Sequence, residues 1–265
     1  MTSKRLMIIG YGAMAREVHR LLPAGLELAW VVVPEAQVAT TRELLGSGIE
    51  VLSRVDDCGE RPDLVVECAG QPGLAEHGEA VLSRGLTLAI VATGALADEG
   101  LYGRLRQAAE RGEGRMLVLS GAVAGMDGLA AAREGGLDSV TYEACKAPKS
   151  WKGSHAEQLV DLDALTEATV FYEGTAGEAA RLFPANANVA ATIALAGIGM
   201  QATTVRLTAD PAATRNTHRI HAQGRFGEFR IELNGRPLES NPKTSMLAAL
   251  SVVRACRQVL DPVTV

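Results

Sequence analysis

The stretch from residue 6 to residue 15 constrains the fold more than any other. An apolar run leads directly into Gly-x-Gly-x-x-Ala, and an amphipathic segment follows. In such a turn the first glycine permits a tight bend, the second lets the backbone approach a pyrophosphate, and the third small residue keeps the helix close to the strand. The N-terminal end of the helix then favours phosphate. The pattern predicts a nicotinamide dinucleotide site at Gly10, Gly12, Ala13, Met14 and Ala15.

Composition excludes several classes of protein. Hydrophobic residues make up 47% of the 265 residues, enough for one large domain or two modest ones. A net charge of −5 without a basic tract argues against nucleic-acid binding. No apolar run approaches the roughly 20 residues needed to span a bilayer, and we expect neither a membrane segment nor a signal peptide. The four cysteines form no CxxC pair, which indicates reduced thiols, no metal site and a cytoplasmic protein.

The first 120 residues alternate between strand-like and helix-like patterns. Near-continuous apolar strands separated by amphipathic helices predict an α/β fold, a Rossmann-type doubly wound parallel sheet. Strands are predicted at residues 6–9, 26–33, 63–68, 87–91 and 116–119, and helices at residues 13–22, 74–84 and 99–112. In such sheets the ligand lies beyond the carboxyl ends of the strands.

After about residue 125 the pattern predicts a second, α+β domain with a mixed or antiparallel sheet, of which the mixed sheet is favoured. Strands are expected at residues 139–144, 203–208, 217–223 and 226–233, and helices at residues 176–182, 189–196 and 245–260. Asn234-Gly235 is typical of a hairpin turn. We expect Asn186 to cap the helix at residues 189–196.

The residues after the second strand bear on cofactor choice. Chains selective for NAD usually carry an acidic residue at the end of that strand, where it binds the ribose hydroxyls. Here the strand ends in valines and Pro34, and Glu35 comes one or two residues late. Arg42 is either a 2′-phosphate ligand or a solvated helix residue. The sequence predicts NAD or NADP with weak discrimination.

Several segments together resemble the L-aspartate dehydrogenase family over nearly the whole chain. They are Gly10-Tyr-Gly12-Ala13, Val65-Val66-Glu67, Thr93-Gly94-Ala95-Leu96-Ala97-Asp98, Ser120-Gly121-Ala122-Val123-Ala124-Gly125, Phe183-Pro184-Ala-Asn186-Ala-Asn188, Asn216-Thr217-His218-Arg-Ile220 and Asn241-Pro242-Lys243-Thr244-Ser245. The resemblance implies a dinucleotide-binding domain at residues 1–121 plus 242–265. It also implies a substrate and oligomerisation domain at residues 122–241, and a homodimer or higher homo-oligomer.

The activity implied by the resemblance is the NAD(P)-dependent oxidation of L-aspartate to iminosuccinate, which hydrolyses to oxaloacetate and ammonia, and the reverse reductive amination. Alternatives are a homoserine-dehydrogenase-like or dihydrodipicolinate-reductase-like oxidoreductase, or a non-catalytic NAD(P)-binding regulator. The reductase typically carries a His-His pair before a lysine, which this sequence does not have.

Two histidines compete for the catalytic position. Strand alternation places His218, Ile220 and Ala222 on one face of the strand at residues 217–223, and His221 on the other. The alternation does not choose between the two histidines, whereas the resemblance implies His218. Its expected role is to orient the substrate and to relay a proton at the amine nitrogen, because histidine changes its charge near neutral pH.

The resemblance also implies that Ala122 and Asn188 contact the cofactor. The two carboxylates of aspartate require cations or oriented donors. The candidates are Lys146, Lys243, Thr244 and Ser245, the last three expected at a helix start whose positive end favours anions. Lys149 is either a further ligand or a solvated lysine. The family usually has Arg-Lys-Pro-Pro where this chain has Cys-Lys-Ala-Pro-Lys, so the anion contacts in that loop are left open.

Overall fold

The computed structural model describes residues 3–184, 186 and 188–264. Within this range, only the backbone of residues 242 and 243 is described. The strands are β1 (Lys4–Ile9), β2 (Leu26–Val32), β3 (Glu50–Leu52), β4 (Leu64–Glu67), β5 (Thr87–Ile90), β6 (Arg115–Val118), β7 (Leu137–Lys146), β8 (Thr169–Thr175), β9 (Thr204–Ala209), β10 (Asn216–Gly224), β11 (Gly227–Gly235), β12 (Pro237–Leu238) and β13 (Asn241–Ser245). The helices are α1 (Ala13–Arg20), α2 (Glu35–Leu45), α3 (Gly70–Ser83), α4 (Glu99–Gly112), α5 (Met126–Gly135), α6 (Ala176–Leu182), α7 (Asn188–Ala196) and α8 (Met246–Gln258).

The chain divides into two compact units. One comprises the residues up to Leu119 together with those from Ala248 onward, and the other comprises Ser120–Leu247. No helix in the described part of the chain is long and apolar enough to cross a membrane.

The first unit contains a six-stranded sheet in the order β3-β2-β1-β4-β5-β6, with every pair parallel. This is the order of a dinucleotide-binding sheet, and it confirms the predicted fold. Both faces are buried because the crossover helices cover them, so the strands are continuously apolar, as in the fully buried run Leu6, Met7 and Ile8 of β1. Residues of α8 join the same core, among them Ala249, Val252 and Cys256.

The second unit contains a mixed sheet in the order β11-β10-β7-β9-β8, as predicted. The β7–β9 pair is parallel and the others are antiparallel. One face packs against helices α5, α6 and α7. The core between them includes Leu129 from α5, Ala179 from α6, Ile193 from α7, and Tyr142 and Ile220 from the sheet.

Two local predictions in this unit are wrong. Asn234 and Gly235 do not form a turn, because they pair with Thr217 and Asn216 and extend β11. The hairpin turns instead between Gly224 and Gly227, where Gly227 adopts a φ of 111°. Backbone pairing along the whole length of β10 therefore overrides the local turn preference of Asn-Gly.

The second wrong prediction is the helix start at residues 243–245. These residues lie in β13, which pairs with β12 through Leu238–Asn241 and Pro237–Ser245, and α8 begins only at Met246. Strand pairing with the preceding segment delays the helix. Lys243 is therefore not part of the first turn of α8.

Candidate active site

The glycine turn of the first unit has the geometry that its sequence predicts. Gly10 adopts a φ of 83°, and a Cβ atom at this position would lie 2.7 Å from the Cα of Ala69. Only glycine meets both demands without strain. Gly12 differs, because its backbone is extended and a Cβ there would meet nothing within 4 Å. The space in front of Gly12 is therefore open to a ligand.

Helix α1 begins directly after this turn. Gly12 provides no side-chain cap, and the first turn of the helix contains no acidic residue. The N–H groups at a helix start have no partner within the helix and favour an anion. Ala15 is fully buried beneath them. The turn fits the pyrophosphate of a dinucleotide, with Ala13 and Met14 at the start of the helix.

A buried carboxylate joins the loops that follow β4 and β5. Glu67 is fully buried, and its two carboxylate oxygens accept hydrogen bonds from the backbone N–H groups of Gly70 at 2.6 Å and Ala92 at 2.8 Å. Burial raises the pKa of this carboxyl group above its ordinary value, and the backbone hydrogen bonds oppose the rise. Glu67 therefore links two of the loops where a ligand of this sheet would lie. The sequence marked it through its place at the carboxyl end of the strand at residues 63–68 and through the family resemblance.

The end of β2 has no acidic residue within the strand. Val33 follows it and is buried, and the exposed Glu35 is the first residue of α2. Arg42 donates a hydrogen bond from Nη2 to the carbonyl of Val51 at 3.2 Å. One hydrogen bond therefore ties the guanidinium group of Arg42 to the backbone of β3.

In the second unit, β10 separates the two histidines as the alternation predicts. His218 is buried on the helix-covered face, with 5% of its surface exposed. His221 lies on the opposite face, where its Nε2 is 3.1 Å from Oε2 of Glu228. Burial thus singles out His218 as the histidine that belongs to an interior polar cluster.

Tyr142 holds one nitrogen of His218. Its hydroxyl oxygen lies 2.8 Å from Nδ1, and the rings stack with an interplanar angle of 12°. Burial raises the pKa of Tyr142, so the phenol keeps its proton. The tyrosine hydroxyl and Nδ1 therefore share one hydrogen bond, which orients the imidazole ring and leaves Nε2 as the ring nitrogen that does not contact Tyr142.

The electrostatics of His218 correct one sequence prediction. Burial, and secondarily the charge of Lys146, lowers the pKa of His218 from 6.5 to about 3. The side chain is therefore neutral throughout the physiological range. The expectation that it changes charge near neutral pH is wrong for this environment, because the sequence does not reveal how deeply the ring is buried.

Lys146 at the end of β7 is the cation of this cluster. Its Nζ donates a hydrogen bond to Oδ1 of Asn186 at 2.9 Å and lies 4.7 Å from the ring centroid of Trp151. Trp151 is fully buried, and its Nε1 donates to the carbonyl of Thr208 at 3.1 Å, which fixes the ring. Burial lowers the pKa of Lys146 from 10.5 to about 8. Lys149, in contrast, is exposed.

The strand register explains why these side chains meet. His218 lies directly opposite Ala144, so its diagonal neighbours on β7 are Tyr142 and Lys146, on the same face. Diagonal neighbours are within reach of long side chains, and the small Ala144 leaves space between them. Sequence analysis identified His218 and Lys146 separately but missed Tyr142 and Trp151, since only the register reveals their proximity.

The remaining predicted site residues are placed as follows. Ala122 is partly buried in the loop between β6 and α5, and Asn188 is the first residue of α7. Thr244 and Ser245 lie in β13, with Ser245 directly before α8. The side chain of Lys243 lies outside the described part of the chain. The cap predicted for Asn186 stays a prediction, because α7 starts at Asn188 and residue 187 lies outside that part as well.

Two polar features complete the description. The Ser245 hydroxyl is a buried oxygen with no hydrogen-bond partner within the described residues. Over the same residues, no group of three or more His, Cys, Asp or Glu side chains is arranged to hold a metal ion.

Comparison with known families gives two matches. A family model described as "Aspartate dehydrogenase, C-terminal" matches residues 127–259. A second, described as "Homoserine dehydrogenase, NAD binding domain", matches residues 10–119. The two matches together cover most of the chain.

Comparison with curated proteins finds similar chains of nearly equal length. An L-aspartate dehydrogenase of Serratia proteamaculans is 62% identical over 258 residues, covering 97% of this chain and 98% of the relative. One from Acinetobacter baylyi is 53% identical over 262 residues, covering 99% of this chain and 100% of the relative.

Solved structures agree in fold. The aspartate dehydrogenase of Thermotoga maritima has a TM-score of 0.77 and 25% identity, with 99% of each chain covered. A dihydrodipicolinate reductase from Paenisporosarcina has a TM-score of 0.53 and 15% identity, covering 97% of this chain and 95% of that one. At that identity the reductase shares the fold alone.

Proposed function

The chain belongs to the L-aspartate dehydrogenase family, and on this premise we propose that it catalyses the NAD(P)-dependent oxidation of L-aspartate to iminosuccinate. Iminosuccinate hydrolyses to oxaloacetate and ammonia, and the enzyme also carries out the reverse reductive amination. The observation that carries this proposal is the 62% identity to an L-aspartate dehydrogenase over 97% of the chain. The cluster of buried His218 and Tyr142 with half-buried Lys146 supplies polar groups suited to such a substrate.

The cofactor is NAD or NADP, and when bound its nicotinamide exchanges a hydride with the α-carbon of the substrate. We propose that the turn from Gly10 to Ala15 holds the pyrophosphate, including Gly12, Ala13 and Met14. The open space at Gly12 and the uncapped start of α1 support this assignment. Ala122 and Asn188 are proposed as further cofactor contacts on the strength of the family resemblance.

His218 is proposed to bind and orient the substrate. Tyr142 occupies Nδ1, so Nε2 is the ring nitrogen proposed to contact a carboxylate or the nitrogen of the substrate. Since the ring is buried, the hydrogen bond operates in a medium where it is stronger than in water. Lys146, Lys243, Thr244 and Ser245 are the proposed substrate-binding residues that complement the negative charge of aspartate.

The proposal also covers the domain boundaries, the oligomeric state and the cellular location of the protein. The domains are proposed at residues 1–121 plus 242–265 and at residues 122–241. The chain is proposed to act as a homodimer or a higher homo-oligomer, as the family resemblance implies. It is proposed to work in the cytoplasm, where its four free cysteines would stay reduced.

The test is the consumption of reduced nicotinamide with oxaloacetate and ammonium, run separately with NADH and NADPH. Consumption that requires both substrates is the expected result, and the two rates rank the cofactors. Homoserine, tetrahydrodipicolinate and their oxidised partners serve as the comparison panel. Turnover of one of these instead would contradict the proposal, as would tight NADH binding without turnover of any substrate.

A further inference from the structure

The loops that follow β4 and β5 lie on one side of the cleft where a sheet of this strand order binds a dinucleotide. Such a ligand crosses the carboxyl ends of the strands, with its pyrophosphate at the turn after β1 and its adenosine ribose at the end of β2. The nicotinamide half therefore falls on the side of β4 and β5. The arrangement of these two loops shapes the surface that the nicotinamide meets.

Glu67 stands between the two loops. It is the last residue of β4 and pairs with the last residues of both neighbouring strands, Ile9 of β1 and Ile90 of β5. Its side chain is fully buried. Oε1 accepts the backbone N–H of Gly70 at 2.6 Å, at the start of α3, and Oε2 accepts that of Ala92 at 2.8 Å, just after β5. One carboxylate thus binds the backbone of both loops.

The hydrogen-bond pattern at Glu67 fits a carboxylate and not an amide. Both oxygens are acceptors, and the backbone N–H of Val91 adds a third donor to Oε2 at 3.3 Å. A glutamine amide has one oxygen, and its nitrogen is a donor. In either orientation it would place its NH₂ group against a backbone N–H and release one of the two loops. The backbone N–H groups also favour the ionised form, since they lower the pKa of Glu67 while burial raises it.

The loop after β4 has further contacts with the dinucleotide turn that do not involve the Glu67 side chain. Cys68 donates its backbone N–H to the carbonyl of Ile9 at 2.8 Å. The backbone of Ala69 packs against Gly10, where an added Cβ atom would lie 2.7 Å from the Cα of Ala69. These contacts join the β4 loop to the turn, whereas the carboxylate joins the β4 loop to the β5 loop. Loss of the carboxylate should therefore loosen the β5 loop and leave the turn in place.

We propose that Glu67 is a positioning residue for the nicotinamide half of the cofactor, because its carboxylate fixes the β5 loop against the β4 loop in the arrangement that binds this half. The inference rests on the proposed function, which supplies NAD or NADP as the ligand. Glu67 acts through the backbone of Gly70 and Ala92, since its own side chain is fully buried beneath them.

The competing role for Glu67 is general stabilisation of the first unit, which would not distinguish one half of the cofactor from the other. Two ligands separate these roles, because ADP contains the adenosine and the pyrophosphate but lacks the nicotinamide riboside of NADH. We would measure the Kd of NADH by fluorescence titration and the Kd of ADP by calorimetry in wild type and Glu67→Gln. Val81→Ala is the matched control, because Val81 is fully buried in the same unit and lies about 16 Å along α3 from Gly70.

The proposal predicts that Glu67→Gln raises the Kd of NADH about tenfold or more and changes the Kd of ADP less than about twofold. Val81→Ala should lower the melting temperature and leave both Kd values near those of wild type. Unchanged NADH binding in Glu67→Gln, or equal weakening of NADH and ADP, would overturn the proposal.

A second variant decides the question if Glu67→Gln does not fold. Ala92 has a φ of −78°, which proline can adopt, so Ala92→Pro removes the backbone donor and leaves the carboxylate in place. It should weaken NADH binding and spare ADP binding in the same way, and NADH binding equal to that of wild type would overturn the proposal.

Failure of the inference can be told apart from failure of the proposed function. A wild type that binds neither NADH nor NADPH contradicts both. A wild type that binds NADH without oxidising L-aspartate contradicts the proposed activity, and selective loss of NADH binding in Glu67→Gln would still support the inference. Aspartate oxidation by a Glu67→Gln variant with the wild-type Kd for NADH contradicts the inference alone.

Discussion

Tyr142 and His218 are joined by a 2.8 Å hydrogen bond between the tyrosine hydroxyl and Nδ1, inside the core of the second unit. The two residues are not directly opposite on the sheet, because Tyr142 pairs with Ile220 and His218 pairs with Ala144. The bond therefore crosses a diagonal, which long aromatic side chains can span. It occupies Nδ1 and leaves Nε2 as the nitrogen of His218 that does not contact Tyr142.

Tyr142→Phe keeps the ring and removes only this hydrogen bond. We expect the free energy of unfolding to fall by about 1–2 kcal/mol, since Nδ1 becomes a buried polar atom without a partner. We expect kcat to fall about tenfold, or about 1.4 kcal/mol, because the ring loses the hydrogen bond that orients it. The ¹⁵N shifts of His218 report the tautomer directly. Tyr172→Phe, which removes a 3.3 Å bond to the carbonyl of Thr175, is the control that should keep kcat.

His218 makes the fold sensitive to acid. Its pKa is about 3 in the folded chain against 6.5 as a model value, so the unfolded chain binds more protons between these values. Stability is therefore lost as pH falls from about 6.5 toward 3, by up to about 5 kcal/mol from this group. His218→Gln should flatten that part of the curve in urea titrations at successive pH values. His221→Gln, on the exposed face, should leave the wild-type slope, and an equal effect of both variants would refute the explanation.

Lys146 affects stability in the alkaline range. Its pKa is about 8 when folded against 10.5 as a model value, so the unfolded chain again binds more protons, and stability rises with pH across this window. Lys146→Met removes this half-buried charge. We expect it to stabilise the chain at pH 7 by about 1–3 kcal/mol, and the gain to vanish toward pH 10.5. A variant less stable than wild type at pH 7 would show that the contacts with Asn186 and Trp151 outweigh the burial cost.

Substitution of the two glycines of the dinucleotide turn should affect different properties, stability at Gly10 and NADH affinity at Gly12. Gly10→Ala forces a positive φ and a contact with Ala69, so we expect it to destabilise the fold by about 2–4 kcal/mol. A Cβ atom added at Gly12 meets nothing within 4 Å, so the melting temperature of Gly12→Val should stay near that of wild type. Its NADH affinity should nevertheless fall at least about tenfold, or about 1.4 kcal/mol. NADH fluorescence titration gives the affinity, and unchanged binding in Gly12→Val would contradict the assignment of the turn.

The sequence predicted those features that depend on local pattern. Apolar strands with intervening helices gave the parallel sheet of the first unit, and alternation along β10 separated His218 from His221. Prediction from the sequence failed where backbone pairing between distant segments determines the local structure. Asn234-Gly235 has the composition of a turn but is held in β11 by Thr217 and Asn216.

In the candidate site, too, local pattern identified some residues, whereas others depended on the pairing of distant segments. His218 and Lys146 could be named from motifs and charge, whereas Tyr142 became part of the site only through the register of β7 against β10. The electrostatics were also beyond the sequence. The shift of the His218 pKa to about 3 comes from burial, which depends on the packing of the whole second unit.

The most direct test of the account is the product formed from oxaloacetate, ¹⁵N-labelled ammonium and reduced nicotinamide. We predict ¹⁵N-labelled L-aspartate in equal amount to the nicotinamide oxidised, identified by mass spectrometry after chiral separation. Unlabelled malate in its place, or nicotinamide oxidation without labelled aspartate, would contradict the assignment of L-aspartate dehydrogenase activity to this chain.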